Sequence, residues 1–283
     1  MAAVLGTNVA SLWASKNLQS AQTNMANSVE RLSSGLRINR ARDDAAGLGI
    51  SNALTQQINS AEMGIRNLND GISIVQTVDG ALTQASEMAQ RILALSIQGT
   101  SGTLSNSQKT LITTEMTSLL AGIDNIQSRT RFGSATTSLL SGSAVVVYSS
   151  NVSTDSLTIS TTGLAAISTG STAGTALTAS VSNAGTTQTA AYFQSITTAA
   201  SAYITTLDTQ RGNLGASQNQ MEYSVNNITE LSANLTSARS RIVDTDYATE
   251  TSKLTKGQIL QQAATAMLAQ ANQMPNVILS LLK

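Results

Sequence analysis

The chain has 283 residues, and its 16 Lys and Arg balance its 16 Asp and Glu. Charged residues make up 11%, under half of the roughly 25% usual in soluble domains, and aromatic residues make up 3%. His and Cys are both missing, which excludes the commonest catalytic base, a thiolate nucleophile and a His/Cys metal site. Carboxylate sites stay open at this level, but we expect no enzyme, no catalytic or metal site and no cofactor. The balanced charge favours neither nucleic acid nor an anionic membrane as a partner.

The first residues do not combine a basic region with an apolar block, so no cleaved secretory signal is expected. No apolar run approaches the roughly 20 residues that a transmembrane helix needs. These patterns predict that the chain does not span a membrane and that any export uses a route without a cleaved signal peptide.

Residues 1–44 contain one amphipathic stripe, formed by Met25, Val29, Leu32 and Leu36. A charged cluster follows it, formed by Arg31, Arg37, Arg40, Arg42, Asp43 and Asp44. One interpretation is a solvated charged run. The other is that these groups pair within or between subunits and fix packing geometry, with Gly47 and Gly49 permitting a bend.

Residues 45–133 predict two long helices, the first over about 50–98. A seven-residue repeat there comprises Leu54, Ala61, Leu68, Val75, Leu82, Ala89 and Ser96. A second row lies four residues further along: Ile58, Ile65, Ile72, Asp79, Ser86 and Leu93. This spacing is typical of a coiled coil. After a break at 99–102, the second helix carries Ile112, Met116, Leu119, Ile123 and Ile126 at helical spacing.

Residues 134–190 are rich in Ser, Thr, Gly and Ala, and helical periodicity is lost. A continuous apolar run at 145–148 and alternating apolar residues at 157–159 predict two short strands. The stretch 169–189 is predicted to be a loop-rich excursion, and the whole region a surface tip.

Residues 191–241 predict a third long helix, in which apolar residues keep a seven-residue step at Leu207, Leu214, Met221, Ile228, Leu235 and Ile242. The C-terminal stripe in 242–283 comprises Leu260, Ala264, Met267, Ala271, Met274, Ile278 and Leu281. The fold class is therefore mainly α: a long antiparallel coiled-coil-like helical rod with a small β-hairpin region and paired terminal helices. We expect the two ends to be poorly ordered until the chain associates. The alternative is that their stripes only stabilise the monomer.

Sequence motifs at both ends resemble those of bacterial flagellins. Residues 30–39 read ERLSSGLRIN and residues 43–47 read DDAAG; near the other end, 235–242 read LTSARSRI and 268–273 read LAQANQ. The likeness covers about 1–133 and 190–283 in the same order. With only about fifty residues between these regions, the chain resembles a short form that lacks large outer domains.

The resemblance implies a structural subunit that self-polymerises into the extracellular flagellar filament for swimming motility. Residues 1–44 and 242–283 would form the filament core through the two terminal stripes, while 45–133 and 191–241 would form a surrounding rod domain. Implied partners are further copies of the chain, the flagellar export apparatus and its chaperone, and the filament cap and junction proteins. A hook–filament junction protein of related architecture is the alternative.

The family resemblance also implies a surface for Toll-like receptor 5 at Gln90, Arg91, Leu95 and Glu115. The alternative is that Arg91 and Glu115 are ordinary surface charges and that Leu95 packs in the helical seam. Some flagellins carry a protease in their middle region. This chain has no His, so a zinc protease site with His ligands is excluded there.

Overall fold

The computed structural model describes residues 8–132, 139, 145–149, 155–159, 172–182 and 188–281, with the backbone alone at 172–173 and 274–281. These residues form six α-helices and two strands. In chain order they are α1 (Val9–Ser34), α2 (Ala45–Gly99), α3 (Asn106–Arg129), β1 (Val145–Tyr148), β2 (Ser156–Ile159), α4 (Thr172–Ser182), α5 (Ala190–Val243) and α6 (Tyr247–Leu281). The predicted class, mainly helical with one small antiparallel hairpin, is confirmed. None of the helices in this described part is long and apolar enough to cross a membrane.

The chain divides into two compact units. The terminal unit combines Met1–Ile58 with Ala233–Lys283, and the central unit is Asn59–Ser232. Both divisions fall inside helices, whereas the predicted limits at 44/45 and 241/242 lie at or near helix ends. The predicted domain limits therefore stay a prediction.

Helix α1 ends at Gly35, whose φ of 70° is left-handed and whose N–H donates to the Arg31 carbonyl over 2.9 Å. A residue without a Cβ adopts this conformation at no steric cost. Beyond it, Leu36 forms a β-bridge with Asp244, and the Arg37 N–H donates to the Val243 carbonyl. The prediction that Leu36 continues the helical stripe is therefore wrong, because the chain has already left the helix.

Helix α2 begins beside the charged cluster, where the Asp44 carboxylate accepts a hydrogen bond from the Gly47 N–H over 2.8 Å. Ile38 is buried against this turn, and a Cβ on Gly47 would lie 2.7 Å from its Cδ1. Helix α2 continues through Gly47 and Gly49, and the close approach of Ile38 and of the Asp44 carboxylate explains the glycine at 47. A bend at these glycines stays a prediction.

In the central unit α2 and α5 run antiparallel. The Arg211 guanidinium lies 2.8 Å from the Asp79 carboxylate, and Ser96 shares a 2.9 Å hydrogen bond with Thr197. The first predicted row on α2 is confirmed, since its members from Ala61 to Ser96 are buried. The second row is only partly buried. The fully buried row lies three residues after the first and includes Val78, Ala85 and Ile92, because α2 packs against several neighbours and buries a wider face.

Helix α3 begins with a capping box between Ser105 and Gln108. Its inward side chains confirm most of the predicted pattern: Ile112, Met116 and Ile123 are buried, while Leu119 is partly buried. Leu207, Leu214 and Met221 of α5 lie in the same core, as their seven-residue step predicts.

The predicted hairpin is confirmed: β1 pairs antiparallel with β2, with Val145 opposite Ile159. The hairpin packs on α2 at two glycines, whose missing side chains allow its backbone and side chains to approach the helix closely. A Cβ on Gly64 would overlap the Ser149 carbonyl, and one on Gly71 would lie 2.9 Å from Val147. The hairpin therefore completes the central core.

Helix α4 contradicts the prediction of a loop-rich stretch at 169–189. Its Leu177 and Val181 are each 1% exposed, and the Tyr192 hydroxyl donates to the Val181 carbonyl over 2.6 Å. Two apolar residues four apart are too few to show periodicity in a Ser/Thr/Ala-rich segment, so tertiary packing decides the structure. The rest of the predicted surface tip mostly lies outside the described residues.

Candidate assembly surface

The two terminal helices form an antiparallel pair, which we call the terminal pair (α1 with α6). Three contacts fix its direction. The Asn8 side chain meets Ala271 at one end, Met25 lies beside Gly257, and Ser28 meets Glu250 at the other end. The prediction that the chain ends pair is confirmed.

Small side chains line the contact between these helices, at seven-residue steps that we call the inner rows. On α1 the inner row is Ala14, Ala21 and Ser28; on α6 it is Gly257, Ala264 and Ala271, all of them buried. A Cβ placed on Gly257 would lie 3.4 Å from the Met25 Cβ. The two helices therefore approach closely, and the inner rows themselves contribute little apolar area to the contact.

Larger apolar residues of α6 follow a separate row, three positions after the inner one, which we call the outer row: Leu260, Met267, Met274 and Leu281. Leu260 is 48% exposed and Met267 is 63% exposed. The single stripe expected from the sequence is thus two rows. Ala264 and Ala271 contact the chain's own α1, whereas Leu260 and Met267 face solvent. Met274, Ile278 and Leu281 lie where side chains are not described.

The stripe predicted on α1 is also divided. Met25 and Leu32 are half-buried, while Val29 is 50% exposed. Near the start of the helix, Leu12 and Trp13 are 68% and 59% exposed, although the sequence stripe did not include them. They were missed because no regular repeat connects them to Met25. The terminal pair therefore leaves large apolar side chains of both helices in solvent.

A buried carboxylate, Glu250, connects α6 to α1 at the end of the terminal pair that lies away from Asn8. Glu250 is 4% exposed, accepts a 2.8 Å hydrogen bond from the Ser28 hydroxyl and lies 3.0 Å from the Lys253 ammonium. Desolvation raises the pKa of Glu250, but the Lys253 and Ser28 hydrogen bonds and the charges of Lys253 and Arg31 outweigh it and lower the pKa below its ordinary value. Glu250 is therefore a charged link between α6 and α1 at neutral pH.

The charged cluster forms local pairs within the terminal unit. The Asp43 carboxylate accepts hydrogen bonds from the N–H groups of Asn39, at 3.2 Å, and Arg40, at 3.0 Å. Desolvation raises the pKa of Asp43. These hydrogen bonds and the charges of Arg42 and Arg31 lower it further, so that the net pKa is below the ordinary value.

Two further contacts connect the charged cluster to the helices beside it. Arg40 pairs with Glu30 at 2.7 Å, and the Arg37 guanidinium donates to the Ile242 carbonyl at the end of α5 over 2.6 Å. A cation at a helix C-terminus is electrostatically favourable. Pairing within the chain thus describes these groups better than a solvated run does, and pairing between subunits stays a prediction.

The residues predicted to bind the receptor lie in the central unit. Arg91 donates through two nitrogens to the Glu115 carboxylate, at 3.0 and 2.7 Å, and this pair and Gln90 are exposed. Leu95 is 2% exposed and belongs to the core, as the packing interpretation expects. In the described part of the chain no three His, Cys, Asp or Glu side chains are grouped as metal ligands.

Comparison with known proteins identifies the family. Residues 5–145 match the bacterial flagellin N-terminal helical region, and residues 197–282 match the bacterial flagellin C-terminal helical region. The two matches together cover most of the chain.

Full-length relatives agree. Flagellin B of Vibrio anguillarum is 33% identical over 377 aligned positions, covering 100% of both chains. That alignment is longer than this chain, so the relative has residues that this chain lacks. Flagellin of Bacillus subtilis is 36% identical over 98% of each chain, and the flagellar filament 33 kDa core protein of Treponema phagedenis is 34% identical over 99% of this chain and 100% of its own. The chain belongs to the bacterial flagellins, as a short form without large outer domains.

Proposed function

We infer that this flagellin is a structural subunit that self-polymerises into the extracellular flagellar filament, and we propose that the terminal pair supplies the filament core. The supporting observation is the division of the terminal stripes into inner and outer rows. The inner rows are already used within the chain, whereas Leu260 and Met267 remain available to other copies.

The energetics favour assembly through many small contributions. Fully burying a side chain such as Leu or Met stabilises by about 1.5–3 kcal/mol, and here roughly half of that burial is still to be made. Immobilising the terminal segments opposes this gain through lost conformational entropy. Contacts that join unlike surfaces of identical subunits extend into open helical polymers. Because every subunit of such a polymer makes the same contacts, a modest free energy of burial per side chain is sufficient to drive assembly.

A charge in the outer row tests this proposal. Met267→Asp is expected to abolish seeded filament growth while leaving the thermal unfolding of the central unit unchanged. Gln262→Asp is the matched control, because it places the same charge on an exposed position of α6 without removing an apolar side chain. Growth of Met267→Asp at the rate of Gln262→Asp, measured by light scattering and electron microscopy, would refute the role of the outer row.

Seeded growth also separates the filament subunit from the hook–filament junction alternative. A filament subunit adds to filament seeds in large numbers, whereas a junction protein occurs in few copies. Continuous elongation of seeds by the purified chain supports the filament role. Saturation after a few subunits per end supports the junction protein.

We further propose a structural role without catalysis, and export without a cleaved signal peptide, through the flagellar export apparatus and its chaperone. The filament cap and junction proteins are the other proposed partners. Intact-mass measurement of subunits taken from native filaments tests the export proposal. A mass that begins at or immediately after Met1 supports it, and loss of an N-terminal segment contradicts it.

Recognition by Toll-like receptor 5 is proposed for three side chains, Gln90, Arg91 and Glu115, and not for the buried Leu95. The Arg91–Glu115 pair presents a fixed cation and anion side by side on the surface. Arg91→Ala should weaken receptor binding measured with the purified ectodomain, and equal binding by the wild-type chain and this variant would contradict the proposal. Arg129→Ala, an exposed arginine at the end of α3, is the control.

A further inference from the structure

Helix α6 contains a gap in its hydrogen-bond ladder. It runs from Tyr247 to Leu281 and therefore passes through Pro275. Proline has no backbone N–H, so the helical bond from residue 275 to the carbonyl of Ala271 cannot form. Pro275 is the only proline in the chain, which makes Ala271 the only residue whose carbonyl loses its helical donor in this way.

The other end of the chain supplies a donor to that carbonyl. The Asn8 Nδ2 donates to the Ala271 carbonyl over 2.7 Å. Its Oδ1 accepts from the Ser11 N–H over 3.1 Å and so caps the N-terminus of α1. A side-chain amide has both a donor and an acceptor, and Asn8 uses one on each helix. The Ser11 hydroxyl adds a 3.0 Å hydrogen bond to the Asn272 side chain at the same level.

The inner rows explain why such a contact matters. Rows of Ala, Ser and Gly interlock weakly, and larger apolar side chains beside them, such as Leu18, Met25 and Leu268, are only half-buried. They therefore constrain only loosely how far one helix can slide along the other. Directed polar contacts at the two ends, Asn8 with Ala271 and Ser28 with Glu250, can fix that register. The register in turn determines where Leu12 and Trp13 of α1 lie relative to Met267 of α6.

We propose that Asn8 is a positioning residue for assembly, which fixes the register of the terminal pair by giving Ala271 the donor that Pro275 withholds. This inference rests on the proposed role of the terminal pair in polymerisation. It assigns Asn8 a role beyond that of a helix cap, and it predicts an energetic coupling between residues 267 positions apart in the sequence.

Two substitutions separate capping from positioning. Asn8→Asp keeps a side-chain oxygen that caps as well as Asn does, and its charge suits a helix N-terminus. It replaces the amide donor with an acceptor that faces the Ala271 carbonyl. Asn8→Ser also keeps a capping oxygen, carries no charge and has no amide. We expect either change to raise the critical concentration for polymerisation about tenfold, the effect of losing one directed hydrogen bond.

The decisive variant is Pro275→Ala, which restores a backbone N–H to the Ala271 carbonyl. In that background the donor of Asn8 is redundant, and Asn8→Ser, which places no carboxylate against the carbonyl, should raise the critical concentration less than twofold. A structural role for Asn8 limited to capping would not respond to residue 275. The inference is overturned if Asn8→Ser polymerises like the wild type, or if its penalty is the same in the wild-type and Pro275→Ala backgrounds.

Hydrogen exchange of the full chain keeps this test separate from the proposed function. Peptides covering 8–14 and 268–274 are followed in all four combinations of residues 8 and 275, whether or not filaments form. Asn8→Ser should increase exchange in both peptides about tenfold when Pro275 is present and less than twofold in the Pro275→Ala background. If the wild-type chain does not polymerise, the proposed function fails, and the exchange pattern still supports or overturns the role of Asn8.

Discussion

The central unit and the terminal pair use the same seven-residue spacing with different side chains. In the central unit Leu68, Leu82 and Leu207 occupy the seam and are completely buried. In the terminal pair the inner rows contain Ala, Ser and Gly, and larger apolar residues are half-buried, as at Met25 and Leu32, or exposed, as at Leu260 and Met267. The central unit therefore completes its core within one chain, whereas the terminal pair leaves apolar surface for other copies. The same spacing therefore has different outcomes in the two regions, because the size of the side chains in the contact determines how much apolar surface remains exposed.

The largest expected contrast comes from truncating one apolar side chain in each region. Leu82→Ala should destabilise the central unit by about 2–5 kcal/mol, because it leaves a cavity in a packed core. Met267→Ala should leave the unfolding of the soluble chain unchanged, since its side chain is 63% exposed. Chemical denaturation followed by circular dichroism measures both, and equal losses would break the comparison.

The next contrast concerns side-chain size in the inner row. Ala264→Leu should destabilise the terminal pair by about 1–3 kcal/mol, because a large side chain does not fit between closely approaching helices. Ala263→Leu, at the exposed neighbouring position, is the matched control. Hydrogen exchange of α1 and α6 reports the change. A leucine tolerated equally at both positions would contradict close packing at the inner row.

A smaller effect is expected at the end of α1. Gly35→Ala should cost about 1–2 kcal/mol, since an L-residue is strained in the left-handed region. The new Cβ would also lie 3.0 Å from the Tyr247 hydroxyl oxygen. Gly49→Ala, in a helix with nothing within 4 Å of the new Cβ, should stabilise by about 0.5–1 kcal/mol. Thermal unfolding should show these opposite signs, and matching signs would argue against the left-handed cap.

The smallest expected effect is the pH dependence of the terminal pair. Because the pKa of Glu250 is lower in the folded chain, its contribution is fully present above the ordinary pKa of glutamate. That contribution is lost as the pH falls through the lowered value. Glu250→Gln should flatten this acid dependence of α1 and α6 exchange, whereas Glu230→Gln, exposed on α5, should not. An unchanged acid profile in Glu250→Gln would contradict the role of the ionised Glu250 carboxylate in holding the terminal pair.

Several features were predictable from the sequence because they depend on local periodicity. The buried row of α2 follows from a seven-residue repeat, and the hairpin strands follow from a β-branched apolar run in β1 and from alternation in β2. Helix α4 was missed because only Leu177 and Val181 mark its buried face. The division of the C-terminal stripe could not be predicted either, since Ala264 and Met267 are both apolar and spacing does not tell which one faces α1.

The contact between Asn8 and Ala271 illustrates a further limit. It depends on a side-chain amide near one end and on a carbonyl four residues before a proline near the other. Each signal is ordinary by itself, and only the antiparallel register of the terminal pair brings them together. Long-range polar contacts of this kind need the three-dimensional structure.

Tryptophan fluorescence tests the central claim most directly, that exposed apolar residues of the terminal pair become subunit contacts. Trp13 is the only tryptophan in the chain and is 59% exposed on α1. On polymerisation its emission should shift to shorter wavelength, and acrylamide should no longer quench it efficiently. A filament in which Trp13 remains as accessible to acrylamide as in the soluble chain would contradict the account.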